Sequence, residues 1–115
     1  DGYMRGQVSK DGYFCHVPLE YDHSDKSSWE KAIPEKGKYQ NGGFWATPTG
    51  WYAYALSLSD KELAHKLMTE LAEHTNANIE KGAPYEWMTM DQSIYSGLYY
   101  ATSAGCPYSA FEMIK

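Results

Sequence analysis

Between Leu63 and Ala72 apolar residues recur every three to four positions, the clearest pattern in the chain. Leu63, Leu67 and Leu71 fall on one line of a helix, with Ala64, Met68 and Ala72 beside them. Ser59-Asp60-Lys61-Glu62 reads as a capping box, Ser59 accepting from the Glu62 amide while Glu62 reaches back. The spacing predicts that this helix runs to about His74. Upstream, Thr49 is placed to cap a helix from Gly50 to about Leu58, with Trp51, Tyr54, Ala55 and Leu58 on adjoining turns. The short Leu58-Ser59-Asp60 connection makes these two helices antiparallel neighbours. Further on, Asp91 is expected to cap a helix through Ile94, Gly97, Leu98, Ala101 and Ala104. Gly105 stops it and Pro107 follows. A short last helix is expected over 108–114.

The first part of the chain has a different texture. Residues 1–17 alternate weakly and contain Lys10-Asp11-Gly12. Asp-Gly between β-formers is a strong hairpin signal, so residues 3–9 and 13–17 are read as paired strands, ended by Pro18. Residues 20–43 are polar and punctuated by Pro34, Gly37, Gly42 and Gly43. They read as a long loop with one helical turn near 28–32, of the kind that is functional or disordered in a compact domain. The chain thus divides into a hairpin over 1–19, a long loop over 20–48 and helical hairpins over 49–115. It is read as one mainly α piece, without internal repeats.

Composition narrows the partners. The 115 residues suffice for one small domain. Lys and Arg number 10 against 15 Asp and Glu, a net charge of -5. No basic run interleaved with aromatics is present, which argues against a nucleic-acid role. The apolar runs fall short of the roughly 20 residues that span a bilayer, so no membrane partner is expected. The chain opens Asp1-Gly2-Tyr3 without an initiator Met, which raises the expectation of a processed or truncated piece of a longer protein. Cys15 and Cys106 are compatible with a bridge or with two thiols.

The 11 Tyr and 4 Trp point to a surface that must stay wet at one edge of each ring. Two stretches gather the chemistry. In Tyr39-Gln40-Asn41-Gly42-Gly43-Phe44-Trp45, two glycines free the backbone for positive φ or close approach, beside amides that donate and accept. In Pro84-Tyr85-Glu86-Trp87, a carboxylate sits between aromatics, where desolvation raises its pKa toward acid/base use. Flat rings stack on sugars, amides bond hydroxyls, and a carboxylate moves a proton. Carbohydrate is therefore the substrate class these residues fit. The plain alternatives are a tight turn whose aromatics cover the core and a surface Glu with inward-packed neighbours. His16, His23, His65 and His74 form no metal signature, since His65 and His74 are nine apart rather than four. Glu20, Asp22 and Asp25 around His23 could hold a cation but read more simply as a solvated loop. No nucleophile elbow and no reactive cysteine motif is present. No metal and no cofactor is expected.

In order, YQNGGFW, TGW, a helical hairpin, PYEW and SGLYYATSAG resemble the C-terminal hairpins of six-hairpin α/α-barrel glycosidases. That group includes glycogen-debranching-type enzymes, neutral invertases and α-glucosidase relatives. The resemblance covers about Lys38 to Ala110 and implies a mainly α fragment of an α/α-barrel glycoside hydrolase with a small N-terminal β-hairpin. It implies acid/base hydrolysis of an oligo- or polysaccharide, inverting by analogy. Glu86 would be the base, Gln40, Asn41 and Trp45 would line the sugar end, and Tyr85 and Trp87 would flank it. Two departures stand out. Ala46-Thr47 replaces the Pro that follows the Trp in many relatives, and a twelve-helix barrel needs far more than the three or four helices here. A glycosidase needs a second carboxylate, about 5–5.5 Å away for retention or 6.5–9.5 Å for inversion. It would lie elsewhere in the parent, so this piece alone is expected to be inactive. Its partners would be the rest of the parent barrel or a second copy, joined through exposed apolar helix faces. The analogy points to a periplasmic or secreted location. The alternatives are a non-catalytic carbohydrate-binding or structural module and, within enzymes, a polysaccharide lyase or unsaturated glycuronyl hydrolase using Tyr and His.

Overall fold

The computed structural model describes residues 8–19 and 34–114. It is not an α/α-barrel fragment. A five-stranded antiparallel sheet runs in the order β1-β2-β3-β4-β5, and three helices accompany it. About 45% is helical and 14% strand, so the mainly α expectation is corrected to a mixed α and β domain.

The hairpin at the start forms where Asp11-Gly12 asked for it. β1 (Ser9–Lys10) pairs with β2 (Tyr13–Cys15), leaving Asp11 and Gly12 as a two-residue turn. Both take positive φ, 50° and 75°, as a turn twisted to match its strands requires. The part of the predicted hairpin over 3–7 lies outside the described residues, as do the predicted helical turn and the acidic loop around His23. The later part of the predicted long loop is ordered structure. Lys38 bridges Asn41, and β3 (Phe44–Trp45) follows and pairs with β2.

Helix α1 (Thr49–Ser57) starts where expected, but Thr49 does not cap it. Its hydroxyl donates to the Gly12 carbonyl and ties the helix start to the hairpin turn. Helix α2 (Lys61–Ala77) is capped by Asp60, whose carboxylate accepts from the Leu63 amide at 2.9 Å. The cap lies one residue past the predicted Ser59. Ser59 donates instead to the Leu56 carbonyl. The apolar stripe of α2 is as predicted in the main, with Ala64, Leu67, Met68 and Leu71 buried.

The largest correction concerns residues 91–101. In place of a helix they form a turn, a strand and a second turn. β4 (Trp87–Met88) pairs with β5 (Tyr95–Ser96), and α3 (Thr102–Ile114) begins only afterwards. Positive φ at Gln92, Gly97 and Tyr99 is incompatible with a continuous helix. Asp91 caps no helix. Its carboxylate accepts from the Thr89 hydroxyl and from the amide and hydroxyl of Ser93, closing the β4–β5 connection. Gly105 and Pro107 lie inside α3, which absorbs the predicted last helix.

The register sets two sheet faces, because side chains alternate along a strand. Tyr13, Cys15, Phe44, Met88 and Tyr95 belong to one face, and Phe14, Trp45, Trp87 and Ser96 to the other. The first face forms the main core with Leu71 of α2 and with Ala46, Ala83 and Tyr85. The second carries Trp45 against Trp87 and is covered by the Tyr39 turn. A smaller cluster joins one residue from each helix: Ala53, Met68 and Ile114.

Candidate functional site

The turn over 38–43 is built for closeness. The Gly43 amide donates to the Tyr39 carbonyl at 2.9 Å, and the Asn41 amide to that of Lys38 at 2.9 Å. Gly42 has φ 106°. A Cβ on Gly43 would overlap the Tyr39 carbonyl and stand 3.1 Å from the Trp87 ring. The close approach that this glycine permits is therefore to the chain's own Trp87. The turn lays Tyr39 edge-on to Trp45, centroids 4.8 Å apart, and to Trp87 at 6.2 Å. The Trp45 indole N–H donates to the Tyr39 carbonyl, and His16 stacks on the same indole.

This enclosure leaves Trp45 only 7% exposed and Trp87 9%, while Tyr39 is 38% exposed. The indoles form the wall, and Tyr39 is the ring that solvent reaches. Tyr39 was not singled out by itself in the sequence, because nothing in a Tyr-Gln-Asn run says which ring will stand outermost. Asn41 is buried, and its side-chain amide donates to the Pro34 carbonyl, which holds the turn closed. Gln40 sits half-buried in the tip between Tyr39 and Asn41.

Glu86 lies at the head of β4, next to Trp87. Its amide donates to the carbonyls of Ser96 and Gly97, both at 2.9 Å, which fixes its backbone against the neighbouring strand. Its half-buried side chain runs over Gly97, where a Cβ would overlap that of Glu86 and stand 3.0 Å from Oε2. Among the described residues Glu86 joins no ion pair. A carboxylate held in this way remains free to accept a proton or a hydroxyl hydrogen bond.

Tyr85 goes elsewhere. It is fully buried and stacks on Tyr95 at 4.4 Å, with His74 edge-on at 6.3 Å. Tyr13 completes this cluster, 5.1 Å from His74. Four residues from two strands, a loop and a helix thus form a polar group inside the core, which no local spacing could announce. Among the described residues the hydroxyls of Tyr13 and Tyr85 and both His74 nitrogens make no well-formed hydrogen bond, although Thr75 and the Tyr85 backbone lie near the Tyr13 hydroxyl and Gln92 near His74. Burial pushes the Tyr13 phenol up to about 12, partly offset by the Tyr85 backbone and the Thr75 hydroxyl. Burial also raises Tyr85, helped by the Tyr95 and Tyr99 phenols. Burial lowers His74 from its ordinary value, against the opposing pull of Asp11 and Gln92. Asp11 accepts from the Gln92 amide at 2.5 Å, so the two turns meet beside this cluster.

Of the six residues expected from the sequence, the fold brings Trp45, Trp87, Asn41 and Gln40 to one wall, while the Glu86 side chain, one residue before Trp87, lies over Gly97. The fold sends Tyr85 to the opposite side. Among the described residues no three His, Cys, Asp or Glu side chains gather as a metal site, and no helix is long and apolar enough to cross a membrane. Cys15 and Cys106 are thiols not joined in a disulfide, and the Cys15 thiol donates to the Val17 carbonyl at 2.9 Å. No family model, curated protein or solved structure matches this chain.

Proposed function

We propose that this chain contributes a carbohydrate-handling site, with Glu86 as the group that moves a proton in glycoside hydrolysis. The observation that carries the reading is a half-buried carboxylate, in no ion pair among the described residues, one position along the chain from the aromatic wall that solvent-facing Tyr39 tops. Tyr39 takes the stacking role first assigned to Trp45 and Trp87, which support it from behind. Asn41 shapes the turn, and Gln40 is the amide nearer to a bound hydroxyl. The second carboxylate that hydrolysis demands would come from a longer parent chain, and the partner is an oligo- or polysaccharide. The chain alone then binds sugar without turning it over.

The test has two arms. Titration of the chain with neutral oligosaccharides, followed by amide chemical shifts, should perturb residues 39–45 and 86–97. Tyr39→Ala should weaken that binding about tenfold, the scale of one lost ring contact. In the parent, Glu86→Gln should cost at least about a hundredfold in kcat, the lower end for general acid/base catalysis. Sugar binding together with undiminished hydrolysis by Glu86→Gln would leave a non-catalytic binding module as the surviving reading. The lyase alternative draws on the Tyr13–His74–Tyr85 cluster, but those phenols are sealed in the core, and a polymer would have to open the fold to reach them.

A further inference from the structure

Helix α1 wears its apolar stripe on the outside. Trp51, Tyr54, Ala55 and Leu58 face solvent, while the residues it buries are the small Thr49, Gly50 and Ala53. Trp51 is 67% exposed and Leu58 77%. Solvent exposure of so much contiguous apolar surface is costly, and on soluble domains it marks contact sites. Beside the stripe runs a groove of about 340 Å³ between α1 and α3. Its floor is made of Gly50, Gly105, Cys106, Ser109 and Ala110, and Trp51, Tyr54 and Met113 rise at its rim. The groove exists because the helices touch closely there: a Cβ on Gly50 would stand 2.6 Å from the Cys106 carbonyl oxygen.

We propose that this face pairs with the same face of a second copy in a two-fold dimer. A two-fold interface must be self-complementary, so a projection and a recess have to lie side by side on one surface. Trp51 and the small-residue groove meet that condition, and the groove has room for an indole. Charge selects the same occupant. Two copies of a chain of net charge -5 repel, and in a two-fold contact every charge near the axis meets its own like. Helix α1 carries no charged residue and α3 only Glu112. This face can therefore self-pair with only Glu112 to bring like charges together. Trp51, Tyr54, Leu58 and Met113 present roughly 500 Å² per copy, by the size of such side chains. Two copies would bury about 1,000 Å², the size that a biological interface should clear.

The experiment is sedimentation velocity of the chain from about 1 to 200 µM, beside Trp51→Glu and Met113→Glu. A reversible species of twice 13.1 kDa is expected for the native chain. Each substitution enters the interface twice, so the dimer dissociation constant should rise by at least about 30-fold, the threshold of a hot-spot residue. Both positions are exposed, and a native far-UV spectrum confirms that each variant folds. A native chain that stays monomeric throughout overturns the proposal. So does a dimer indifferent to both substitutions, which would place the contact on another face. Open-ended aggregates in place of a discrete dimer would overturn it too, because they indicate a face meant for a different partner.

Discussion

Gly97→Ala is the substitution that probes the Glu86 site most directly. Gly97 has φ 62°, a left-handed conformation that costs an L-residue about 1–2 kcal/mol. A Cβ there would also overlap the Glu86 Cβ and stand 3.0 Å from Oε2 and 3.4 Å from Cα. Relief must come from the Glu86 strand end, whose amide is already bound to Ser96 and Gly97. Overpacking of this kind costs about 1–3 kcal/mol. The two contributions together predict a loss of about 2–5 kcal/mol. They can be separated by urea unfolding of the native chain, Gly97→Ala, Glu86→Gly and the double variant. With the Glu86 Cβ removed, only the backbone contribution remains, and Gly97→Ala should then cost about 1–2 kcal/mol. The difference, about 1–3 kcal/mol, is the coupling between the two positions. An equal cost in both backgrounds, or a single-variant loss below about 1 kcal/mol, would refute the reasoning that Glu86 is seated on Gly97.

Three further outcomes are expected. Stability should fall as pH drops from 7.5 through the ordinary histidine range. His74 is held neutral by burial with its folded pKa lowered, so its contribution is complete above the unfolded value and lost as the unfolded state takes up a proton. Asp11 opposes this and Lys81 adds to it, so the part owed to the imidazole is the slope that His74→Gln removes from the urea midpoint-against-pH curve. Tyr85→Phe should leave stability unchanged or raise it by up to about 1 kcal/mol in the same assay, because it deletes a buried hydroxyl that has no partner among the described residues. Leu71→Ala should cost about 2–5 kcal/mol, since that side chain is buried in the main core beneath the hairpin turn, and a loss under 1 kcal/mol would show that α2 does not cover the sheet.

Local chemistry made some of this protein legible from its residues alone. Asp11-Gly12 dictated a hairpin because few other pairs accept two positive φ values in a row. The Leu63 to Ala72 period dictated a helix and its buried side, and a cap within one residue, because backbone geometry repeats every 3.6 residues whatever surrounds it. The Tyr39 to Trp45 and Tyr85 to Trp87 stretches stood out by residue type alone, without indicating which of their rings face solvent. Pairing over distance was a different matter. Phe44-Trp45 and Trp87-Met88 form strands because each finds partners elsewhere in the chain, among them one another at separations of 42 and 44 residues. Residues 91–101 showed helical spacing, yet the ladder to β4 and three positive φ values made them a strand between turns, and the helix begins only at Thr102. Orientation was likewise decided in three dimensions. The tertiary structure buried both indoles behind Tyr39, drew Tyr85 into the core with His74, and turned the α1 stripe outward. Periodicity states that a helix has an apolar side, but which side finds a partner depends on the packing of the whole chain.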